Sequence, residues 1–181
     1  MAETIVNVIA EDLGIARSVK VVNIGAAGNA FVLAASFVLK QEDTANILIL
    51  LDGDVYRSSS EKYEAIKKVL SGTEKDHVDK IERAVALIRQ LSLPEKTKPE
   101  KFIFDMLIEM DNKNEIVEIA RRQNAVSDSH QWLDNLATRM GRSEEIILYK
   151  IINLVSEHER WEGYIKEVRD WLIHQKQIFR L

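Results

Sequence analysis

Residues 47–57, Ile-Leu-Ile-Leu-Leu-Asp-Gly-Asp-Val-Tyr-Arg, constrain the fold of this chain more than any other stretch. Five apolar residues, Ile47 to Leu51, run unbroken into Asp52-Gly53-Asp54. A run of that length, closed by turn residues, predicts a strand buried on both faces, as in a parallel sheet. The carboxylates fall where the strand ends, and ligands of open α/β sheets bind outside the carboxyl ends of the strands. Asp52 and Asp54 are two apart, so on a regular strand they project to one side. Gly53 permits a tight bend. Two hard oxygen ligands there suit Mg²⁺, which takes one or two carboxylates together with water and phosphate oxygens. The plainer reading is a strand-ending turn built from common turn residues.

The flanking sequence extends the pattern. Ile5, Val8, Ile9 and Leu13 have helical spacing, with Gly14 as a stop. Val19 to Ile24 predicts a short strand, Gly25 to Asn29 a small-residue turn, and Ala30 to Leu39 a buried helix. Helix, strand, helix and strand in that order predict a βαβ unit with a parallel sheet. Gly25 and Gly28 flank the turn that leads into the helix. Backbone N–H groups in such a place can bind a phosphate. Equally, a tight turn there needs small residues for helix–sheet packing. The G-x-G-x-x-G dinucleotide spacing is absent.

After Arg57 the pattern becomes helical. Glu61 to Leu70 predicts an amphipathic helix, with Gly72 as its stop. Ile81, Ala84, Val85, Ile88 and Leu91 fall on one helical face. Pro94 and Pro99 bracket a charged loop. Thr97-Lys98-Pro99-Glu100 matches a capping box, with Thr97 as N-cap. Helical patterns follow at 100–110, 114–123, 129–140, 144–158 and 160–176, with Ser143 as N-cap of the fourth. Asp128 and His130 read as a helix cap, or as a ligand and proton carrier. His77, His158 and His174 lack partner spacing and read as solvated. Lys67-Lys68 and Arg121-Arg122 read as exposed faces, and Trp132, Trp161 and Trp171 as core contacts. The expected division is an α/β unit at 1–57 and a helical region at 58–181.

Composition narrows the function classes. With 181 residues the chain is long enough for one domain, or a small domain with a helical extension. A formal net charge of −4 argues against a nonspecific nucleic-acid binder, which is usually basic. The absence of cysteine rules out disulfides and thiolate metal sites, and fits a cytoplasmic protein. Met1-Ala2-Glu3-Thr4 does not open a secretory leader. The most apolar window, Ala30 to Leu39, is too short to span a bilayer, so no membrane partner is expected.

Val-Val-Asn-Ile-Gly-Ala-Ala-Gly-Asn at 21–29, then a helix, then Leu-Leu-Asp-Gly-Asp at 50–54, resembles part of a Toprim domain. More closely, it is similar to the carboxy-terminal Toprim region of the overcoming-lysogenisation-defect family of ATP-dependent endonucleases. Leu93-Pro94 followed by Pro99-Glu100, and Asp128-Ser129-His130, are similar to further stretches of those proteins. The resemblance implies Mg²⁺, or Mn²⁺, held at Asp52 and Asp54, with Glu100 as a second-site ligand. It implies a nucleic-acid substrate and an ATPase segment as partner. A Toprim domain opens with one more strand, ending in a glutamate; here the pattern starts at the first helix, with Glu3 in its first turn. The resemblance therefore implies a truncated site with little activity of its own, in a fragment of a nuclease or a remnant of one.

The expected fold class is α/β, a truncated Toprim-like parallel sheet with a large all-helical carboxy-terminal part. The expected function is that of a partial nuclease domain, inactive alone. The alternative is a non-catalytic dimerisation or interaction module. Two strands leave two edges, and an exposed edge invites pairing, so a homodimer is expected. The stripe Trp161, Tyr164, Ile165, Val168, Trp171 and Leu172 adds to that expectation.

Overall fold

The structure is a computed structural model that describes residues 1–72, 76–111, 113–123 and 131–180. The first apolar stripe forms α1 (Ala2–Asp12). Gly14, at φ 72°, ends it: its N–H donates to the Glu11 carbonyl at 2.9 Å, and that of Ile15 to the Ala10 carbonyl at 2.8 Å. The positive φ explains the glycine. A 3₁₀ turn (Ala16–Ser18) leads to α2 (Gly28–Leu39), and β1 (Ile49–Leu51) follows. Next come α3 (Ser59–Val69), α4 (His77–Ala86) and β2 (Ile88–Gln90). The remainder is helical: α5 (Pro99–Glu109), α6 (Glu115–Arg121), α7 (Gln131–Met140), α8 (Glu144–Val155) and α9 (Trp161–Phe179).

A parallel sheet is present, but not with the partner expected. β1 pairs with β2 in the register Ile49↔Ile88, Leu50↔Arg89 and Leu51↔Gln90. Parallel neighbours need a crossover, supplied here by α3 and α4. The expected strand at Val19–Ile24 takes no strand pairing, and Val22 is 64% exposed. The boundary between two compact units runs through this stretch, between Val21 and Val22. It acts as a connector, so its β-branched residues find no ladder. Ile88 and Leu91, expected on a helical face, instead belong to β2 and the residue just beyond it. The apolar pattern is helical only up to Leu87, the C-cap of α4, and short apolar segments fit either period. β1 is shorter than the run 47–51. Ile49 and Leu51 are buried while Leu50 is half-buried, so one face is covered more fully than the other.

One compact unit comprises Val22–Leu91 and Glu167–Leu181. Its core gathers Ala30, Phe31, Ala34 and Val38 of α2, Ile49 and Leu51 of β1, Ile66 of α3, Ile81 of α4 and Ile88 of β2. The chain returns to this unit through α9: the Gln175 side-chain amide donates to the Ala45 carbonyl at 2.9 Å. The other unit comprises Met1–Val21 and Ser92–Lys166. In it α8 packs on α1, α5 and α7, and α6 packs on α5 and α7. Ile5, Ile103, Leu107, Val117, Leu136, Ile147 and Ile151 are buried there. The sequence divides naturally at residue 57, whereas each compact unit draws on two separated segments. Strand pairing to β2 and the return of α9 explain the difference. The fold is α/β in the broad sense, with helices dominant.

Ser143 caps α8 as expected, its hydroxyl accepting from the Ile146 N–H at 3.4 Å. The capping box at Thr97–Glu100 does not start α5 in the expected register. Lys98 is the N-cap, without a side-chain cap bond, and Pro99 opens the helix. Proline is preorganised for that first position, which puts Glu100 second rather than third. Trp132 and Trp161 are buried as expected, while Trp171 is half-buried. No described helix is long and apolar enough to cross a membrane.

Candidate functional site

The carboxyl end of β1 opens into a bend that carries the two carboxylates. Asp52 and Asp54 are exposed, and Gly53 between them is buried at φ 91°. That φ is accessible to glycine and costly for a side chain. Strand geometry stops at Leu51, so strand alternation does not set the directions of the two carboxylates.

The loop is tied down on both sides. The Arg57 Nε–H donates to the Asp54 carbonyl at 3.3 Å. The Gln90 side-chain amide donates to the Arg57 carbonyl at 3.1 Å, so β2 holds the far end of the turn. Tyr56, at φ 51°, sets its ring edge-on to Phe31 of α2, with centroids 4.6 Å apart. Ser58 then caps α3 through a reciprocal capping box. The Glu61 N–H donates to the Ser58 hydroxyl at 3.2 Å, and the Ser58 N–H to Glu61 Oε2 at 2.8 Å. The Ser58 N–H and the Ser58 hydroxyl, which donates to Glu61 Oε2 at 2.9 Å, helped by Arg57, hold the Glu61 carboxyl below the usual carboxylate range. Ser58-x-x-Glu61 is itself a sequence signature of this cap.

Two charged groups stand out in the same unit. Lys62, in the first turn of α3, is only 7% exposed. Burial pushes its ammonium down, Glu167 opposes that, and Arg89 adds to it. Glu167 Oε2 accepts the Gln90 backbone N–H at 3.1 Å. Lys62 shares a helical face with Ile66 and Leu70, both buried; the i, i+4, i+8 spacing is the signal that sequence reading passes over.

The remaining expected site residues are placed as follows. Gly25 lies ahead of α2 at φ 77°, and its N–H already donates to Asn23 Oδ1 at 2.8 Å. The Asn29 side-chain amide donates to the Ile24 carbonyl at 2.7 Å and closes the turn. Gly28 is the first residue of α2, and a Cβ there would meet nothing within 4 Å. Glu100 is half-buried in the first turn of α5, in the other compact unit. Asp128 and His130 lie outside the described residues. Among the described residues, no three or more His, Asp or Glu side chains gather as a metal-holding group.

His158 corrects an expectation. Its side chain is 8% exposed, not solvated, with Nε2 3.3 Å from Glu109 Oε2. The Arg160 backbone N–H donates to His158 Nδ1 at 3.1 Å, and the Arg160 guanidinium reaches Glu109 Oε2 at 2.6 Å. The same guanidinium lies 5.2 Å from the centre of the Phe102 ring. The cluster joins the end of α5 to the link between α8 and α9.

No protein-family model, no curated protein and no solved structure matches the chain.

Proposed function

We propose that the Asp52-Gly53-Asp54 turn is a partial Toprim-type metal site, in a domain related to metal-dependent phosphodiester hydrolysis that does not cleave nucleic acid by itself. One observation carries this reading: two exposed carboxylates flank a glycine at φ 91°, directly after the carboxyl end of a strand in a parallel pair. That is where α/β sheets bind ligands. The donor set fits Mg²⁺ or Mn²⁺, since two carboxylates leave coordination positions for water and phosphate oxygens. A bound divalent ion at such a site polarises a phosphoryl oxygen and activates water. In this reading Asp52 and Asp54 hold the ion, and the bonds from Arg57 and Gln90 fix the turn that presents them. Partners are a nucleic-acid phosphate and an ATPase segment, in a cytoplasmic setting. Calorimetric titration of Mg²⁺ into the chain and into an Asp52→Asn, Asp54→Asn double variant tests it. Weak binding lost in the variant supports the site; identical traces refute it.

A second reading, a homodimerising module, is favoured by the sheet itself. Among the described residues β1 pairs on one side only, and its open edge offers a template for a strand of a second copy. Val32 and Leu39 of α2 are also exposed, at 52% and 57%. Sedimentation over a wide concentration range decides this. A concentration-dependent dimer supports it, and a strict monomer at high concentration removes it.

A further inference from the structure

Three hydrogen bonds in series run from α9 to the turn that carries Asp52 and Asp54. Glu167 Oε2 accepts the Gln90 backbone N–H at 3.1 Å, the Gln90 side-chain amide donates to the Arg57 carbonyl at 3.1 Å, and the Arg57 Nε–H donates to the Asp54 carbonyl at 3.3 Å. Gln90 stands in the middle. It is the last residue of β2, in register with Leu51, the last residue of β1. Its main-chain donor is held by α9, and its side chain holds the turn. The chain leaves this compact unit after Leu91 and re-enters it at Glu167, so the first bond joins the exit of the chain to its re-entry. The Gln90 Oε1 is buried and has no hydrogen-bond partner among the described residues. A buried acceptor left unpaired is destabilising, and a methionine would fill the same length without one. Packing therefore does not account for an amide at this position; its bond to the Arg57 carbonyl does.

We infer that Glu167 and Gln90 are positioning residues of the Asp52-Gly53-Asp54 turn, acting through Arg57, and that α9 thereby sets how well the two carboxylates are presented together. The consequence for a cation rests on the metal reading given above; the hold on the turn does not. Strand geometry ends at Leu51, and Gly53 adopts φ 91°. Glycine loses more conformational freedom on ordering than any other residue, so a turn built on it depends on contacts from outside. The Tyr56 ring against Phe31 anchors the downstream side, and the series of bonds reaches Asp54 itself. An ion that needs both carboxylates in one geometry binds only the fraction of molecules in which the turn is so held. Its apparent affinity falls with that fraction.

The test uses the full chain. In EDTA, backbone ¹⁵N relaxation gives order parameters for residues 53–57 in the wild type, E167A, E167Q and Q90M. E167A removes the acceptor and Q90M removes only the side-chain donor; both are expected to lower the order of the turn, with the α2 amides of Ala34 and Val38 unmoved. E167Q keeps an acceptor oxygen and is expected to restore the wild-type values. Mn²⁺ titration of the same four proteins is expected to show about fivefold weaker binding in E167A and Q90M, the size of one net hydrogen bond, and wild-type binding in E167Q. Turn order equal to wild type in E167A and Q90M overturns the inference even where Mn²⁺ binds. Loosening of α2 to the same degree as the turn also overturns it, since Glu167 is then a structural residue only. So does Mn²⁺ binding in E167Q as weak as in E167A, because the charge and not the bond then acts, and so does binding at wild-type strength in both E167A and Q90M. A loosened turn in a chain that binds no Mn²⁺ supports the positioning role and refutes the metal reading, so the two fail separately. Glu167 is exposed; should E167A not fold, Q90M decides.

Discussion

The backbone N–H of Gln90 donates to the carboxylate of Glu167 at 3.1 Å, across 77 positions of sequence. A side chain on α9 thereby satisfies a main-chain donor of β2 that no strand takes up. Blunting an edge with a charged side chain is a recognised way to stop further pairing. Among the described residues, β1 pairs with β2 alone.

Replacing Glu167 with alanine therefore returns that donor to water. The Gln90 amide should exchange faster in a hydrogen-exchange experiment, while the Leu91 amide, bonded to the Leu51 carbonyl at 3.1 Å, keeps its protection. The expected loss of stability is about 1 kcal/mol, the net worth of one such bond. Unchanged Gln90 exchange would remove this account of the edge.

The Ser58–Glu61 box predicts an acid limit for α3. The folded value of Glu61 lies below its unfolded value, so its contribution is present above the unfolded range, at about pH 4.3. It is lost as the pH falls through the folded value. Amides at the start of α3 should lose protection on acidification below that range, and E61Q should remove the dependence while lowering the melting temperature at neutral pH. An E61Q melting curve that matches the wild type at every pH would contradict the box.

Much of the helical architecture is legible in the sequence. The stripes behind α5 to α9 are long and periodic, and α5, α6, α8 and α9 start within one residue of their expected positions. The short elements are less legible. Val19–Ile24 has the composition of a strand, but a strand exists only through a partner, and β1 takes β2 instead. Ile88 continues a helical pattern and is nonetheless extended. Pro99 shifts the start of α5 and overrides the Thr97–Glu100 spacing. Around the candidate site, the Asp52-Gly53-Asp54 turn is visible locally, whereas the Gln90 and Glu167 contacts come from distant sequence. The same holds for His158, whose environment depends on Glu109, far away in the chain.

The proposed nuclease relationship predicts little or no nicking of supercoiled DNA by this chain alone, even with Mn²⁺. On that proposal the site offers two carboxylates, Asp52 and Asp54, which leave the attacking and leaving oxygens incompletely supported. Gel analysis of plasmid after prolonged incubation checks this. Metal-dependent nicking that vanishes in D52N would show that the chain supplies a complete acidic set.

The central claim is that Asp52 and Asp54 together hold a divalent cation, and paramagnetic broadening by Mn²⁺ tests it most directly. Trace Mn²⁺ added to the ¹⁵N-labelled chain should broaden the amides of Asp52, Gly53 and Asp54 first, and excess Mg²⁺ should restore them. The Asp52→Asn, Asp54→Asn double variant should show neither effect. Broadening scattered over surface carboxylates, or centred elsewhere and unchanged in the double variant, would contradict the claim.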